Sequence, residues 1–168
     1  MDPCPGDQGL TVTGIIRRWI LSRVLGSALA FEGEAIDAYR DMQERMKRTG
    51  GACDESLEGG ICHLLEEDEM HRRALIEAAN GRLAEEELEK MLSGHPYKGP
   101  VVLRPLHGEE LERWRVDLER ALDQEQKTWI FYGNLQRMSK IPVVRKAFAV
   151  LANMEKEHVQ ILRTLLGL

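Results

Sequence analysis

Apolar residues recur every three or four positions along four long segments of the chain, the spacing of one face of an α-helix. From about Thr11 to Arg48 the stripe is Leu25, Leu29, Glu32, Ile36, Tyr39 and Met46. From about Ser56 to Ala79 it is Ile61, Leu64, Leu65, Asp68, His71, Leu75 and Ala78. From about Glu109 to Ser139 it is Leu111, Trp114, Leu118, Leu122, Glu125, Trp129 and Tyr132. From about Pro142 to Leu166 it is Val144, Phe148, Leu151, Glu155, His158, Leu162 and Leu165. The breaks have suitable chemistry. "TGGACDES" supplies glycines for a helix stop and Asp54 or Ser56 as an N-cap. "SKIP" supplies a proline for a helix start. After "NG" at Asn80 and Gly81 comes a short helical stretch, "LAEEELEKML", then "SGHPYKGPVVLRPLHG". An irregular segment that long is unusual unless it crosses the length of a bundle. The pattern predicts an all-α protein of two antiparallel helical hairpins joined by a long crossover, a four-helix bundle over residues 11–168 behind a flexible tail, 1–10.

Each stripe is interrupted by charge. Asp68 and His71 share the face of Leu64, Leu65 and Leu75, and Glu155 and His158 repeat the pair at the same spacing. Glu66 and Glu69 lie off the face as solvated charges, with Glu67 at its border. On the other two helices Glu32 is followed seven residues later by Tyr39, and Glu125 seven later by Tyr132. The chain is therefore an internal duplication: Glu, Tyr, a break, then an acid-x-x-His. In an antiparallel hairpin, residues equidistant from the turn lie at one level. The midpoint between Glu32 and His71 falls in "TGGAC", and that between Glu125 and His158 in "SKIP". Four carboxylates and two histidines then meet at one level of an apolar core. Unpaired buried ions cost several kcal/mol or more each. Two divalent metals would neutralise four carboxylates, and a glutamate from each of two helices plus an acid-x-x-His from each of the others is the recurrent dinuclear carboxylate set. Imidazole and carboxylate suit iron or manganese, with zinc also admissible.

Composition narrows the classes. The 168 residues suit one domain, and few aromatics (5%) beside many charged residues (30%) favour helix over sheet. The net charge of -5 argues against a nucleic-acid partner. Cys4, Cys53 and Cys62 form no C-x-x-C pair, which excludes a zinc ribbon or rubredoxin-type centre made within this chain and reads as reduced thiols. Arg17, Arg18 and Arg23 break the longest apolar stretch, so no membrane span is expected and the protein reads as cytoplasmic. His63, His95 and His107 lie off the ligand stripes, and Tyr97 could pack over the bundle. Gly26, Gly33 and Gly133 sit inside helices, where close helix approach would account for them. Ile15, Ile16, Trp19, Ile20, Val24 and Leu25 surround their helix, which suggests an overhang packed on the crossover or on a second subunit, and hence a homodimer.

The segments "FEGEAIDAY", "EEDEMH", "DQEQKTWIFY" and "MEKEH" resemble the rubrerythrin branch of the ferritin-like superfamily, over nearly the whole chain. The resemblance implies a ferritin-like bundle, a di-iron centre on Glu32, Asp68, His71, Glu125, Glu155 and His158, and supporting tyrosines at Tyr39 and Tyr132. Three features differ. Asp68 stands where the family usually has glutamate, and being shorter it would bridge two metals poorly. Leu122 and Thr128 flank Glu125 where an extra glutamate would be expected, and no rubredoxin domain is present. The implied activity is reduction of peroxide, or reaction with dioxygen, by a di-iron oxidoreductase re-reduced by an external donor such as a rubredoxin-type protein. Ferroxidase or iron-storage function is the alternative, and a non-catalytic bundle with a degenerate site is the third reading.

Overall fold

The computed structural model describes residues 12–49, 54–80, 85–94 and 102–168. They form α1 (Val12–Arg48), α2 (Glu55–Ala79), α3 (Glu85–Leu92), α4 (Gly108–Met138) and α5 (Pro142–Leu166), with no strand among the described residues. The described residues are of the all-α class, as the periodicity predicts. The tail, the glycines of the first break, Gly81, Cys4, Cys53, His95 and Tyr97 lie outside the described residues, as do the side chains of Ile15, Ile16, Trp19 and Ile20.

The helix ends follow from local chemistry. Of the two candidate caps, Asp54 serves α2: its Oδ1 accepts from the Ser56 backbone N–H at 2.8 Å. Ser56 has another task. Its buried hydroxyl donates to the Arg104 carbonyl at 2.9 Å and accepts from the Arg104 N–H at 2.8 Å, clipping the crossover to the start of α2. Leu106 N–H then donates to the Leu165 carbonyl at 2.9 Å, tying the same segment to the end of α5. Proline opens α5, and Gly167, at φ 73°, closes it in the left-handed conformation with its N–H turned back to Arg163 and Thr164.

Side-chain pairs set the helix directions. Phe31–Phe131, Tyr39–Glu125 and Arg45–Asp117 run in opposite order along α1 and α4. Arg40–Glu69 and Gln43–Cys62 do so along α1 and α2. Tyr132–Phe148 and Glu125–His158 do so along α4 and α5. Gly60 against Ile161 and Leu165, with His71 beside Glu155, closes the ring between α2 and α5. Each long helix is thus antiparallel to both neighbours, and α3 packs across α2 and α5.

The apolar interior falls into two clusters. One, including Leu57, Ile61, Leu64, Trp114, Leu118, Leu162 and Leu165, fills the end nearest the crossover clip. The other, including Leu25, Ala28, Leu75, Leu92, Phe148 and Leu151, fills the opposite end. Two expectations fail here. Trp129, assigned to the α4 stripe, is 38% exposed, because α4 turns Thr128, at 2% exposure, inward at that level instead. Gly26, Gly33 and Gly133 do not mediate close approach, since a Cβ at any of them would meet nothing within 4 Å. Gly60 is the tight one, with Leu165 Cδ1 3.2 Å from the position of its Cβ.

Candidate metal centre

A polar layer separates the two apolar clusters. Glu32 on α1, Asp68 and His71 on α2, Glu125 on α4, and Glu155 and His158 on α5 are all 0–1% exposed. The stripes that bury leucines above and below carry these groups inward as well. The structure brings all six residues together. Both phenols join them, but across the molecule rather than along their own helices. Tyr39 of α1 donates to Glu125 of α4, and Tyr132 of α4 donates to Glu32 of α1. Each tyrosine ring belongs to one of the two apolar clusters and extends its hydroxyl into the polar layer. The sequence duplication is therefore a spatial one.

The imidazoles stack with centroids 5.9 Å apart, and both present Nδ1 to the carboxylates. His71 Nδ1 lies 3.8 Å from Glu32 Oε2 and from Glu155 Oε1. His158 Nδ1 lies 3.2 Å from Asp68 Oδ1, 3.6 Å from Glu155 Oε2 and 3.8 Å from Glu125 Oε2. These are the separations of groups arranged about a common centre, longer on the whole than direct hydrogen bonds. Two sets of ligating atoms result, each with its members within 4.8 Å of one another: Glu32, Asp68, His71 and Glu155, and Asp68, Glu125 and His158. Asp68, expected from its length to serve one metal and bridge poorly, is the residue common to both sets.

The electrostatics have one dominant cause, burial. Glu32 and Glu155 are pushed well above the ordinary carboxylate range by burial, and then by Asp68 and Glu125 respectively. Asp68 is raised to about 7, first by burial and then by Glu125. Burial also acts upward on Glu125, yet the proximity of His158 and Glu155 and the hydrogen bond from Tyr39 hold it at about 2. Burial alone would lower His158, but Asp68 and the other carboxylates raise it well above 6.5. Both tyrosines are raised, by burial and by the glutamates they serve. No well-directed donor among the described residues reaches either carboxylate oxygen of Asp68 or Glu155. No lysine or arginine is buried among the described residues. Four buried acids whose oxygens meet no buried lysine or arginine among the described residues form the donor set that divalent metals satisfy.

The polar layer contains one acid beyond the six. Glu67, at the border of the α2 stripe, is 0% exposed. Its Oε2 lies 3.0 Å from His158 Nε2, and its Oε1 lies 3.5 Å from His63 Nε2. The carboxylate faces the ring nitrogen of His158 opposite the one turned to the cluster, the position of an outer group that fixes an imidazole ligand. His63 is half-buried, and His107 is exposed as expected. The signal for Glu67 was its place beside the stripe: the His158 side chain of α5 covers it, so the buried face of α2 is one residue wider than the stripe. Among the described residues no helix is long and apolar enough to cross a membrane. A comparison with protein-family models, curated proteins and solved structures finds no match to this chain.

Proposed function

We propose that this chain is a dinuclear metal protein of the ferritin-like, rubrerythrin type, binding two iron ions and acting as an oxidoreductase toward peroxide or dioxygen. The observation that carries the reading is the pair of overlapping ligand sets, fully buried and contributed by four helices, with no lysine or arginine buried among the described residues. Four carboxylates balance two divalent ions, and a histidine in each set distinguishes the site from an all-oxygen calcium or magnesium cage. Two ferrous ions held side by side can each supply one electron, enough to reduce an O–O bond. The chain's own groups do the rest. Tyr39 and Tyr132 pin Glu125 and Glu32 by hydrogen bonds, Glu67 orients His158, and the apolar clusters on either side exclude water. An external electron donor completes the cycle.

Elemental analysis of the purified protein tests the first half, with two irons per chain expected. A chain that takes up none at neutral pH removes the proposal. Stopped-flow mixing tests the second half. Fast oxidation of the di-ferrous protein by peroxide and slow reaction with dioxygen is the expected result, whereas repeated turnover of added ferrous iron would indicate a ferroxidase. Glu125→Ala is expected to abolish the centre, since it removes a ligand and leaves Tyr39 without its acceptor.

A further inference from the structure

Acidic residues are unevenly spread along the chain. Residues 12–31 and 126–154 contain none of its 28, yet they carry eight of its 23 lysines and arginines. The two runs stop at Glu32, Glu125 and Glu155, and Phe31 packs on Phe131 where they meet. From the polar layer to the α4–α5 turn, α1, α4 and α5 therefore carry no acid. The acids at this end belong to α2 and α3, Glu77 and Glu87 among them, and α3 packs on α2 and α5, away from α4. The second run also exposes apolar side chains. Of seven large hydrophobics exposed among the described residues, Trp129, Ile130, Met138 and Ile141 fall within it. Met138 (77%) and Ile141 (42%) sit at the turn itself, with Arg137, Lys140 and Arg145 exposed around them. α5 starts there with no acidic residue in its first turn and no side-chain cap, so the positive end of its dipole adds to the same field.

We infer that the α4–α5 turn docks on an anionic lipid surface, with Met138 and Ile141 entering the interface and Arg137, Lys140 and Arg145 meeting the headgroups. The inference does not depend on the dinuclear reading. Charge and shape choose the occupant. A turn at the end of a bundle is convex and offers a rigid protein little matching area. Headgroups and acyl chains instead close around it. A bilayer presents anionic groups at its surface and apolar matter just below, which suits a ring of cations around protruding apolar side chains. A twofold contact between two copies through this turn would set the basic tips against each other. The attachment is to a surface, since no described helix is long and apolar enough to cross a membrane.

Co-sedimentation of the purified chain with vesicles of phosphatidylcholine alone, or of phosphatidylcholine mixed with phosphatidylglycerol, tests this. The wild type is expected on the mixed vesicles and not on the neutral ones, and added salt is expected to release it. Arg137→Ala with Lys140→Ala is expected to weaken binding by about 25-fold, roughly fivefold for each cation lost. Met138→Ser with Ile141→Ser is expected to weaken it by about tenfold or more at unchanged charge. Lys47→Ala with Arg113→Ala removes two exposed cations at the opposite end and is expected to match the wild type. Unchanged thermal melts show that each exposed pair leaves the fold intact. A wild type that stays in solution beside the mixed vesicles at low salt would overturn the inference, as would equal losses from the tip and opposite-end pairs. Binding to soluble polyglutamate as tight as to vesicles, and indifferent to Met138 and Ile141, would overturn it in favour of an acidic protein partner. Iron content tests the dinuclear reading separately, so the two stand or fall apart.

Discussion

At 0% exposure Glu67 has given up its hydration entirely, and its two oxygens face imidazoles on its own helix and on α5. The duplicated half of the chain has Met154 at the matching place, one residue before Glu155. Substituting Glu67→Met therefore makes the two halves alike. In the metal-loaded protein the expected result is a loss of about 10–100-fold in affinity for one of the two ions, the usual effect of removing an outer partner from a histidine ligand. In the metal-free protein a lower melting temperature is expected, because removing one partner of a buried pair leaves the His158 Nε2 facing an apolar side chain. Calorimetric titration and thermal melts read the two effects separately. A variant that lost stability in both forms, with both affinities unchanged, would reduce Glu67 to a packing residue.

The α-helices themselves were legible because a helix satisfies its own backbone, so period and caps decide it locally. Asp54, Pro142 and Gly167 sit where their chemistry requires. What local pattern does not contain is the distance to the next helix. The glycines at 33 and 133 look like contact points in sequence and face open space in the fold. Gly33→Ala and Gly133→Ala are accordingly expected to stabilise the protein by roughly 0.5–1 kcal/mol each, since the gain in helix propensity meets no steric cost. Gly60→Ala is expected to lose that advantage against Leu165. Denaturation midpoints of the three variants check the contrast, and equal shifts at all three would contradict it. The crossover provides a second element-scale test. Ser56→Ala leaves the N–H and carbonyl of Arg104 without their partner, which should cost about 1–3 kcal/mol.

Across the whole molecule, the meeting of the six ligand candidates was readable because hairpin symmetry converts sequence distance from a turn into height along a bundle. The cavity of about 120 Å³ between α1 and α4 was not readable, because it depends on how far those helices stand apart, and no turn connects them. The shared layer also makes the stability of the entire fold depend on pH. Asp68 is raised from 3.8 to about 7, and Glu32 and Glu155 are raised well above 4.5, so the folded chain retains protons that the unfolded chain has released. Their stabilising contribution is complete below the unfolded values and is lost as pH rises through the folded ones. His158, raised above 6.5, acts in the same sense at higher pH, its contribution present below 6.5 and lost above. Glu125, held at about 2, acts oppositely and only in acid, losing its contribution as pH falls from 4.5. The metal-free protein should therefore be most stable near pH 4 and weaken toward pH 8, by on the order of 4 kcal/mol from Asp68 alone. Metal reverses the slope, since ions bind the deprotonated ligands and compete with protons for them. Denaturant titrations of metal-free and metal-loaded protein across this range should give curves of opposite slope. Parallel curves would mean that these acids do not face a common ion.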